Sequence, residues 1–398
     1  MNECIALEEQ YGAHNYHPLP IVITKGKGAY LWDDKGNKYL DMLSAYSAVS
    51  HGHAHPRLVK ALQKQAEQVA VISRAFYSDQ LGFLLQKLCN LSGLDMGLPM
   101  NTGAEAVETA IKAARLWGYQ VKEIPKNQAE IIVVRGNFHG RTTTVIGFSS
   151  KEAYKEGFGP FTPGFKIIPY GSPEELEKAI TPHTCAFLVE PIQGEAGIII
   201  PPEEYLGQAA KICKRHNVLL ILDEIQSGLG RTGKMFAFEH SGIKPDGLIL
   251  GKALGGGLLP VSAFLSRRDV IELFKPGSHG STFGGSPLAA AVALEALAVL
   301  QEEKLIEQSG ELGAYFLEKL KGLRSPLITD LRGKGLWIGM QIDPVLASAR
   351  AISENLMKKG ILAKETHEVT LRLAPPLVIT REEIDWAVAQ IAEVLQTL

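Results

Sequence analysis

The sequence predicts an α/β fold, in which a large domain with a mostly parallel sheet flanked by helices is joined to a smaller α+β domain. From about residue 47 to 290, short apolar runs alternate with helical patterns, as expected when helices connect parallel strands. Beyond residue 290, long helices come first and short strands follow, which indicates a second unit. We therefore predict an N-terminal segment at 1–46 that packs with the small domain, a large domain at 47–290 and the small domain at 291–398.

The elements of the first two parts can be predicted in chain order. Ala29–Asp41 contains two strand-like runs around a polar turn with a glycine, which predicts a hairpin. The predicted strands of the large domain are continuous apolar runs, typical of parallel strands that are buried on both faces. They are Ile131–Val134, Lys166–Pro169, Ala186–Val189, Val218–Leu222, Leu248–Leu250 and Val261–Leu265.

The small domain shows a different pattern. Residues 288–323 have the periodicity of a long helix, interrupted near Ser309 and Gly310. The other predicted elements are strands at Gly335–Ile342 and Thr370–Leu373 and helices at Ala347–Lys359 and Arg381–Thr397. Strands and helices thus alternate less regularly here than in the large domain.

Composition and charge narrow the class of protein. Hydrophobic residues make up 45% and charged residues 21% of the 398 residues, as in ordinary globular domains. A formal net charge of −2 gives no electrostatic reason to expect a nucleic-acid or membrane partner. The cysteines lack a CxxC pair, the N-terminus lacks a signal peptide, and the apolar run Leu288–Leu300 is too short to cross a bilayer. These observations predict a cytoplasmic protein.

A lysine and an aspartate follow two of the predicted strands. Lys252 lies in a glycine-rich turn after Leu248–Leu250, and Asp223 follows Val218–Leu222. Because ligands bind at the carboxyl ends of strands in such sheets, both side chains are expected at one crevice. Pyridoxal phosphate requires this pair, since a lysine forms a Schiff base with it and a carboxylate keeps its ring nitrogen protonated. A surface lysine and an ordinary strand-end aspartate explain these two residues equally well.

Three further segments favour the cofactor. Met100–Arg115 contains Thr-Gly followed by glutamates, typical of a helix N-terminus whose free N–H groups bind anions such as phosphate. Gly136–Thr142 places an aromatic pair after another strand, and Gly280–Gly285 offers two hydroxyls before a helix near Pro287. Together with the lysine and the aspartate, these segments supply every group that the cofactor needs.

One glycine-rich motif supports a different enzyme class. Gly228–Gly233 matches G-x-G-x-x-G after a strand, which makes an NAD-dependent dehydrogenase the alternative. However, Asp223–Gln226 separates the strand from the glycines, and no clear apolar helix opens at Gly233. A P-loop is disfavoured because Lys234 is followed by Met235, which cannot bind magnesium. A non-catalytic binding protein on this fold would be expected to lack the lysine or the aspartate, and both are present.

A histidine tract raises the question of a metal site. His51–His55 places three imidazoles at alternating positions. No carboxylate or cysteine is spaced nearby in sequence as a further ligand, and Pro56 indicates a helix start. We therefore predict no metal and interpret these histidines as loop residues that form hydrogen bonds near a helix entry.

With these motifs the chain resembles the class III aminotransferases, which use pyridoxal phosphate. The resemblance extends from about Asn15 to about Thr380. It is carried by Asn15–Pro20, Leu43–Val49, Ser73–Tyr77, Gly157–Phe161, Val189–Gly197, Leu331–Gly335 and Leu371–Pro376. The resemblance implies fold type I, with a seven-stranded sheet in the large domain, and a homodimer as the minimal active unit.

The resemblance also implies which residues bind the cofactor. Lys252 would form the Schiff base and move a proton, and Asp223 would pair with the ring nitrogen. Around the ring it implies Gln226 at the phenolic oxygen, Phe138 stacked on the ring and His139 beside it. At the phosphate it implies Thr102, Gly103 and Ala104, with Ser281 and Thr282 from the neighbouring subunit.

The implied activity is transfer of the δ-amine of L-ornithine to 2-oxoglutarate, giving glutamate 5-semialdehyde, which closes to a pyrroline, and glutamate. Arg141 would hold the α-carboxylate of ornithine, with Tyr16 at its α-amine and Tyr46 in the pocket wall. Arg372 would hold the α-carboxylate of 2-oxoglutarate. Glu195 would pair with Arg372 until that acid displaces it, although a purely structural salt bridge is the alternative.

N-acetylornithine and other ω-amino acids are alternative donors within the family. Tyr16 and Tyr46 favour ornithine, because acetylornithine has no free α-amine for Tyr16 and related enzymes usually have an aliphatic residue at Tyr46. His139 and Phe283 point weakly the other way, since animal members that act on ornithine tend to have tryptophan at the position of His139.

Overall fold

The computed structural model describes residues 2–397, which form three β-sheets with helices packed against them. The strands are β1 Ile23–Lys27, β2 Tyr30–Asp33, β3 Lys38–Asp41, β4 Met96–Met100, β5 Glu130–Val134, β6 Phe165–Ile168, β7 Thr184–Val189, β8 Leu219–Asp223, β9 Gly247–Leu250, β10 Ser262–Ser266, β11 Ile328–Gly333, β12 Ile338–Ile342, β13 Ile361–Leu362, β14 Lys364–Thr366 and β15 Thr370–Leu373.

The α-helices are Glu3–Tyr11, Pro56–Ala66, Leu81–Ser92, Gly103–Gln120, Thr143–Gly147, Pro173–Ala179, Tyr205–Arg215, Arg268–Ile271, Pro287–Glu302, Leu305–Lys321, Ala349–Lys358 and Arg381–Thr397. Short 3-10 turns occupy Glu152–Tyr154, Ala237–Ser241 and Lys252–Gly255. In the part of the chain that the structure describes, no helix is long and apolar enough to span a membrane.

The central sheet has seven strands in the order β4-β10-β9-β8-β7-β5-β6, and this confirms the predicted fold class. β10 runs antiparallel to β4 and β9, whereas the other neighbours are parallel. Every residue of β7 and β8 is buried, as their continuous apolar sequences predict. The sequence patterns missed β4, which contains Gly97 and Pro99. A proline is tolerated there because β4 is an edge strand.

The predicted N-terminal hairpin is confirmed, since β2 and β3 pair with Tyr30 opposite Leu40. Two strands that were not predicted extend it: β1 pairs with β2, and β13 from the C-terminal part pairs in parallel with β3. The N-terminal segment and the C-terminal part of the chain thus share one sheet. The domain boundaries at residues 46 and 290 stay predictions.

The C-terminal part contains a four-stranded sheet in the order β11-β12-β15-β14. The predicted helix break near Ser309 and Gly310 is wrong, because both residues lie within the helix Leu305–Lys321. The break occurs at Lys304, whose φ of 55° is left-handed. The close approach of the two backbones here constrains Gly233, since a Cβ added to Gly233 would lie 2.7 Å from the Gly310 Cα, whereas one added to Gly310 would lie 3.6 Å from the Gly233 Cα.

Candidate active site

A cavity of about 260 Å³ opens at the carboxyl ends of the central strands. Its lining residues follow β5, β7, β8 and β9 or begin the helix Gly103–Gln120. They are Gly103, Ala104, Phe138, His139, Gly140, Glu190, Ile192, Asp223, Ile225, Gln226, Ser227 and Lys252. The structure therefore brings together the predicted lysine, aspartate, aromatic pair and helix start.

Asp223 is the last residue of β8 and is buried. Its Oδ1 accepts the N–H of Ile225 at 3.0 Å, and its Oδ2 lies 2.7 Å from Nδ1 of His139, which is also buried. Burial favours the neutral imidazole, but the hydrogen bond and charge of Asp223 outweigh it, so the pKa of His139 is raised. The other ring nitrogen, Nε2, is buried without a hydrogen-bond partner. His139 and Asp223 therefore form a buried hydrogen-bonded pair beside the cavity.

Glu190 is a cavity residue that the sequence analysis missed. It directly follows β7 and accepts the N–H groups of Phe138 at 3.0 Å and Gly194 at 3.3 Å. Burial raises the pKa of Glu190 to about 7. The strand-end rule that located Asp223 also applies to Glu190, so a signal was present.

Lys252 begins a short 3-10 turn two residues after β9. Its φ of 43° is left-handed, an unfavourable conformation for a lysine that is typical of functional sites. Burial lowers the pKa of Lys252, although Glu195 and Asp223 partly oppose this effect. The side chain therefore loses its proton more readily than a lysine in water.

The helix Gly103–Gln120 points its N-terminus at the cavity. Thr102 caps it, because its Oγ1 accepts the N–H of Glu105 at 3.3 Å while the Glu105 carboxylate accepts the Thr102 N–H at 2.6 Å. The N–H groups of Gly103 and Ala104 belong to the first turn, where no intrahelical acceptor exists. Gly103 has no room for a side chain, since an added Cβ would lie 2.8 Å from Cδ1 of Ile225. The free N–H groups make this helix start an anion site.

Ser281 and Thr282 do not line the cavity of their own chain. Ser281 Oγ accepts hydrogen bonds from Nδ2 of Asn101 at 2.9 Å and from the Gly284 N–H at 3.0 Å. Thr282 and Phe283 are exposed on the same loop.

Arg372 and Glu195 meet beside the cavity. Nη1 of Arg372 donates to Oε1 of Glu195 at 2.6 Å, and the Arg372 side chain is only 5% exposed. The guanidinium lies 4.7 Å from the centre of the Tyr46 ring. Gln226 Nε2 donates to the Tyr46 carbonyl at 3.3 Å, which connects this group to the cofactor-sized cavity.

Arg141 and Tyr16 lie on the outer side of the site. The Arg141 guanidinium lies 3.6 Å from the ring centre of Tyr154 and 5.6 Å from that of Phe138. Within residues 2–397 no carboxylate lies within salt-bridge distance of Arg141. Tyr16 is 80% exposed and lines, with Tyr46, a neighbouring cavity of about 470 Å³. An arginine that is held by aromatic rings is well placed to bind a carboxylate.

The backbone that carries Tyr46 is unusual. Ser44–Ser47 form one left-handed turn, with φ angles of 44°, 46°, 58° and 73°. Each non-glycine residue in this conformation costs about 1–2 kcal/mol. The sequence contains no glycine here that would have predicted such a turn.

The glycine-rich and histidine motifs have structural roles. No helix opens at Gly228–Gly233, and Arg231 within this segment is completely buried. The three histidines have separate partners: His51 lies 3.0 Å from the Ala296 carbonyl, His53 2.7 Å from Asp41 and His55 3.1 Å from Glu303. Between residues 2 and 397, no three or more His, Cys, Asp or Glu side chains converge in a way that could hold a metal ion.

The fold and the site together define a class of protein. A mostly parallel seven-stranded sheet presents a half-buried lysine, a buried aspartate and a helix N-terminus to one cavity. These are the features of a fold type I enzyme that uses pyridoxal phosphate.

Comparison with known proteins identifies the family. A model described as aminotransferase class-III matches residues 11–395. A Brevibacillus brevis protein named ornithine aminotransferase is 59% identical over 394 residues, covering 99% of this chain and 98% of that protein. The chain therefore belongs to the class-III aminotransferases, and the dehydrogenase alternative is excluded.

Two solved structures share the fold. The crystal structure of the ornithine aminotransferase from Toxoplasma gondii matches with a TM-score of 0.97 at 45% identity, covering 99% of this chain and 94% of that chain. The crystal structure of an acetylornithine aminotransferase from Elizabethkingia anophelis matches with a TM-score of 0.90 at 48% identity, covering 99% and 98%.

Proposed function

We propose that the chain is an ornithine aminotransferase, which transfers the δ-amino group of L-ornithine to 2-oxoglutarate and forms glutamate 5-semialdehyde and glutamate. The full-length similarity to proteins of that name supports this activity. The observation that carries it in the structure is the ion pair of Glu195 and Arg372 next to the lysine cavity. Because Glu195 occupies Arg372 and leaves Arg141 available, a diamino acid would place its carboxylate at Arg141. The site would thereby distinguish the two ends of the substrate.

The cofactor is pyridoxal phosphate, and the cavity residues fit it. The unpaired N–H groups of Gly103 and Ala104 would hold the phosphate, with Thr102 nearby. Asp223 would hold the ring nitrogen, Gln226 would reach the phenolic oxygen and Phe138 and His139 would flank the ring. When bound, the cofactor supplies a carbon that accepts the amine nitrogen and a ring that withdraws electrons.

Lys252 would carry the cofactor and move the proton. Because burial lowers the pKa of Lys252, a larger fraction of its amine is neutral near pH 7 than for a lysine in water. A neutral Nζ can accept a proton from the reacting carbon of the substrate and return it to the product side. The Asp223 carboxylate accepts a hydrogen bond from Nδ1 of His139 at its Oδ2. Its charge would keep a proton on the ring nitrogen.

The two arginines would orient the donor. Arg141 would bind the α-carboxylate of ornithine, and Tyr16 would contact the α-amine, so the δ-carbon would face Lys252. Glu195 occupies Arg372 during this step and prevents it from binding the same carboxylate. In the second half-reaction, 2-oxoglutarate would displace Glu195 and bind Arg372 with its α-carboxylate and Arg141 with its γ-carboxylate. Tyr46 would form the pocket wall that favours ornithine.

The active unit that we propose is a homodimer. Several large apolar side chains are exposed near the loop of Ser281 and Thr282, namely Phe76, Tyr77, Phe83 and Phe283. A Cβ added to Gly285 would lie 3.0 Å from Cδ1 of Leu81 and 3.1 Å from Nη1 of Arg74, so the segment that carries these rings lies beside the loop. A partner on this surface would bury the rings and bring its own Ser281 and Thr282 to the phosphate.

We also propose a cytoplasmic location. The four cysteines, Cys4, Cys89, Cys185 and Cys213, are all free, which suits a reducing compartment. Two of them are buried, Cys185 on β7 and Cys213 on the helix Tyr205–Arg215, and neither forms a cross-link.

Separate half-reactions test the proposed donor. The purified enzyme would be mixed with ornithine, N-acetylornithine or 4-aminobutyrate in the absence of 2-oxoglutarate, and the cofactor absorbance followed with time. We expect the largest apparent second-order rate constant, which is the observed rate divided by the donor concentration, with ornithine. A higher rate with acetylornithine would support the second candidate activity, which the similarity to the Elizabethkingia structure favours.

A further inference from the structure

Both ends of the left-handed turn Ser44–Ser47 are held by buried side chains. At its start, Oδ1 of Asp41 accepts the N–H groups of Leu43 at 2.8 Å and Ser44 at 2.9 Å. At its end, Oγ of Ser50 donates to the Ser47 carbonyl at 2.9 Å. These hydrogen bonds stabilise a backbone conformation that non-glycine residues otherwise avoid.

A completely buried arginine, Arg231, links the two ends. Its Nη2 donates to Oγ of Ser44 at 3.1 Å and to Oγ of Ser50 at 2.9 Å. Its Nη1 donates to the carbonyls of Leu336 at 2.9 Å and Pro375 at 2.6 Å. A buried charge is costly unless it is hydrogen-bonded, so separating these segments from the guanidinium is unfavourable.

The same contacts reach the strand that carries Arg372. Oγ of Ser44 donates to the Ala374 carbonyl at 2.7 Å, two residues beyond Arg372. Arg231 binds the next carbonyl along the chain. The backbones of Tyr46 and Arg372 are therefore fixed relative to each other, and the Arg372 guanidinium lies 4.7 Å from the Tyr46 ring centre.

We propose that Arg231 is a positioning residue for donor selection: it holds the left-handed turn that presents Tyr46 beside Arg372. This inference rests on the proposed ornithine activity. Arg231 lines neither the lysine cavity nor the cavity at Tyr16. When the turn is released, Tyr46 moves, and the donor pocket loses its preference for ornithine. Of the cavity residues, Gln226 donates to the Tyr46 carbonyl, whereas Lys252, Asp223 and Gly103 belong to other elements and keep their geometry.

Two serines of the turn provide a matched pair of variants. Ser44 Oγ makes two hydrogen bonds, whereas Ser47 Oγ is buried without a partner. The measurement is the ratio of kcat/KM for ornithine to kcat/KM for 4-aminobutyrate. Ser44→Ala should lower this ratio about tenfold, because two bonds that restrain the turn are lost. Ser47→Ala should change it by less than about twofold. The absorbance spectrum of the bound cofactor should be the same in both variants.

A glycine provides the rescue. Ala45 is exposed and has a φ of 46°, which glycine adopts without penalty. Adding Ala45→Gly to Ser44→Ala should therefore restore most of the ratio. Ala54→Gly is the control, because Ala54 is also exposed and left-handed, with a φ of 49°, but lies outside the turn. It should restore nothing.

If Ser44→Ala does not fold, the single variant Ala45→Gly still tests the proposal. The single variant should raise the Tm if the turn is strained, and a lower Tm would contradict the proposal. Equal ratios in Ser44→Ala and Ser47→Ala would also overturn it, as would an equal loss for both donors. If the wild-type enzyme itself shows no preference for ornithine, the proposed function fails in that first measurement, and this inference fails with it.

Discussion

The cofactor side of the site is anchored at the ends of regular elements, whereas the substrate side joins a strand residue to irregular segments. Asp223 ends a strand, and Gly103 begins a helix. Tyr46 lies in a left-handed turn, and Arg372, on strand β15, pairs with Glu195 from a distant loop. The ends of strands and helices hold groups that would contact the cofactor, and irregular segments can change the substrate without moving those groups.

Replacing the lysine should have the largest effect, and it tests the cofactor side. Lys252→Ala should lower activity by about 10⁴-fold or more, because both the covalent attachment and the proton transfer are lost. Borohydride reduction makes the Schiff-base bond permanent. Peptide mass measurement should then find the cofactor on the Lys252 peptide of the wild-type protein only. Lys244→Ala, an exposed lysine outside this cavity, is the matched control. Substantial turnover by purified Lys252→Ala would show that another residue carries the cofactor.

Asp223→Asn also tests the cofactor side of the site, with a smaller expected loss of activity. We expect a loss of about 10²–10³-fold in the ornithine half-reaction, because an amide cannot hold the ring nitrogen protonated. The amide oxygen can still accept the Ile225 N–H, so the fold should be retained. An unchanged rate of cofactor absorbance change would leave Asp223 with a structural role only.

Whether the phosphate site needs two chains can be tested by mixing inactive subunits. Lys252→Ala and Thr282→Ala would be co-expressed with different tags. If Thr282 acts on the partner's site, each mixed dimer contains one complete site, and a random mixture recovers about a quarter of the wild-type sites. Isolated mixed dimers no more active than Thr282→Ala alone would place Thr282 at its own chain's site or at none.

Predictability from sequence follows the same division between the two sides. The strand ends at Asp223 and Lys252 could be located because parallel strands have continuous apolar sequences and end at one edge. Glu190 was within reach of the same rule and was overlooked. The turn at Tyr46 and the contacts of Arg231 depend on hydrogen bonds between residues that are up to 330 positions apart, such as Ser44 to Ala374. No local pattern reports such contacts.

Glu190 lies between the two sides, and its ionisation should give the smallest effect. Burial raises the pKa of Glu190 from 4.5 to about 7. The folded state therefore binds a proton more tightly than the unfolded state, and this stabilising contribution is lost as the pH rises from about 4.5 to 7.

The comparison with Glu190→Gln, which cannot ionise, isolates that contribution. The free energy of unfolding of the cofactor-free wild type, relative to the variant, should fall by an amount on the order of 1–3 kcal/mol across this range. Denaturant unfolding at several pH values measures the difference. A difference that stays constant with pH would mean that Glu190 titrates normally in the folded protein.

The central claim is that Glu195 pairs with Arg372 and keeps it from binding the α-carboxylate of ornithine. The δ-amine, and not the α-amine, then reacts. Ornithine labelled with ¹⁵N at the δ position would be reacted with 2-oxoglutarate, and the glutamate product analysed by mass. Wild-type enzyme should give labelled glutamate, because only the δ nitrogen is transferred. Glu195→Gln should give a mixture with unlabelled glutamate, since an open Arg372 also binds the α-carboxylate of ornithine. Unlabelled glutamate from the wild type, or identical labelling by both enzymes, would contradict the claim.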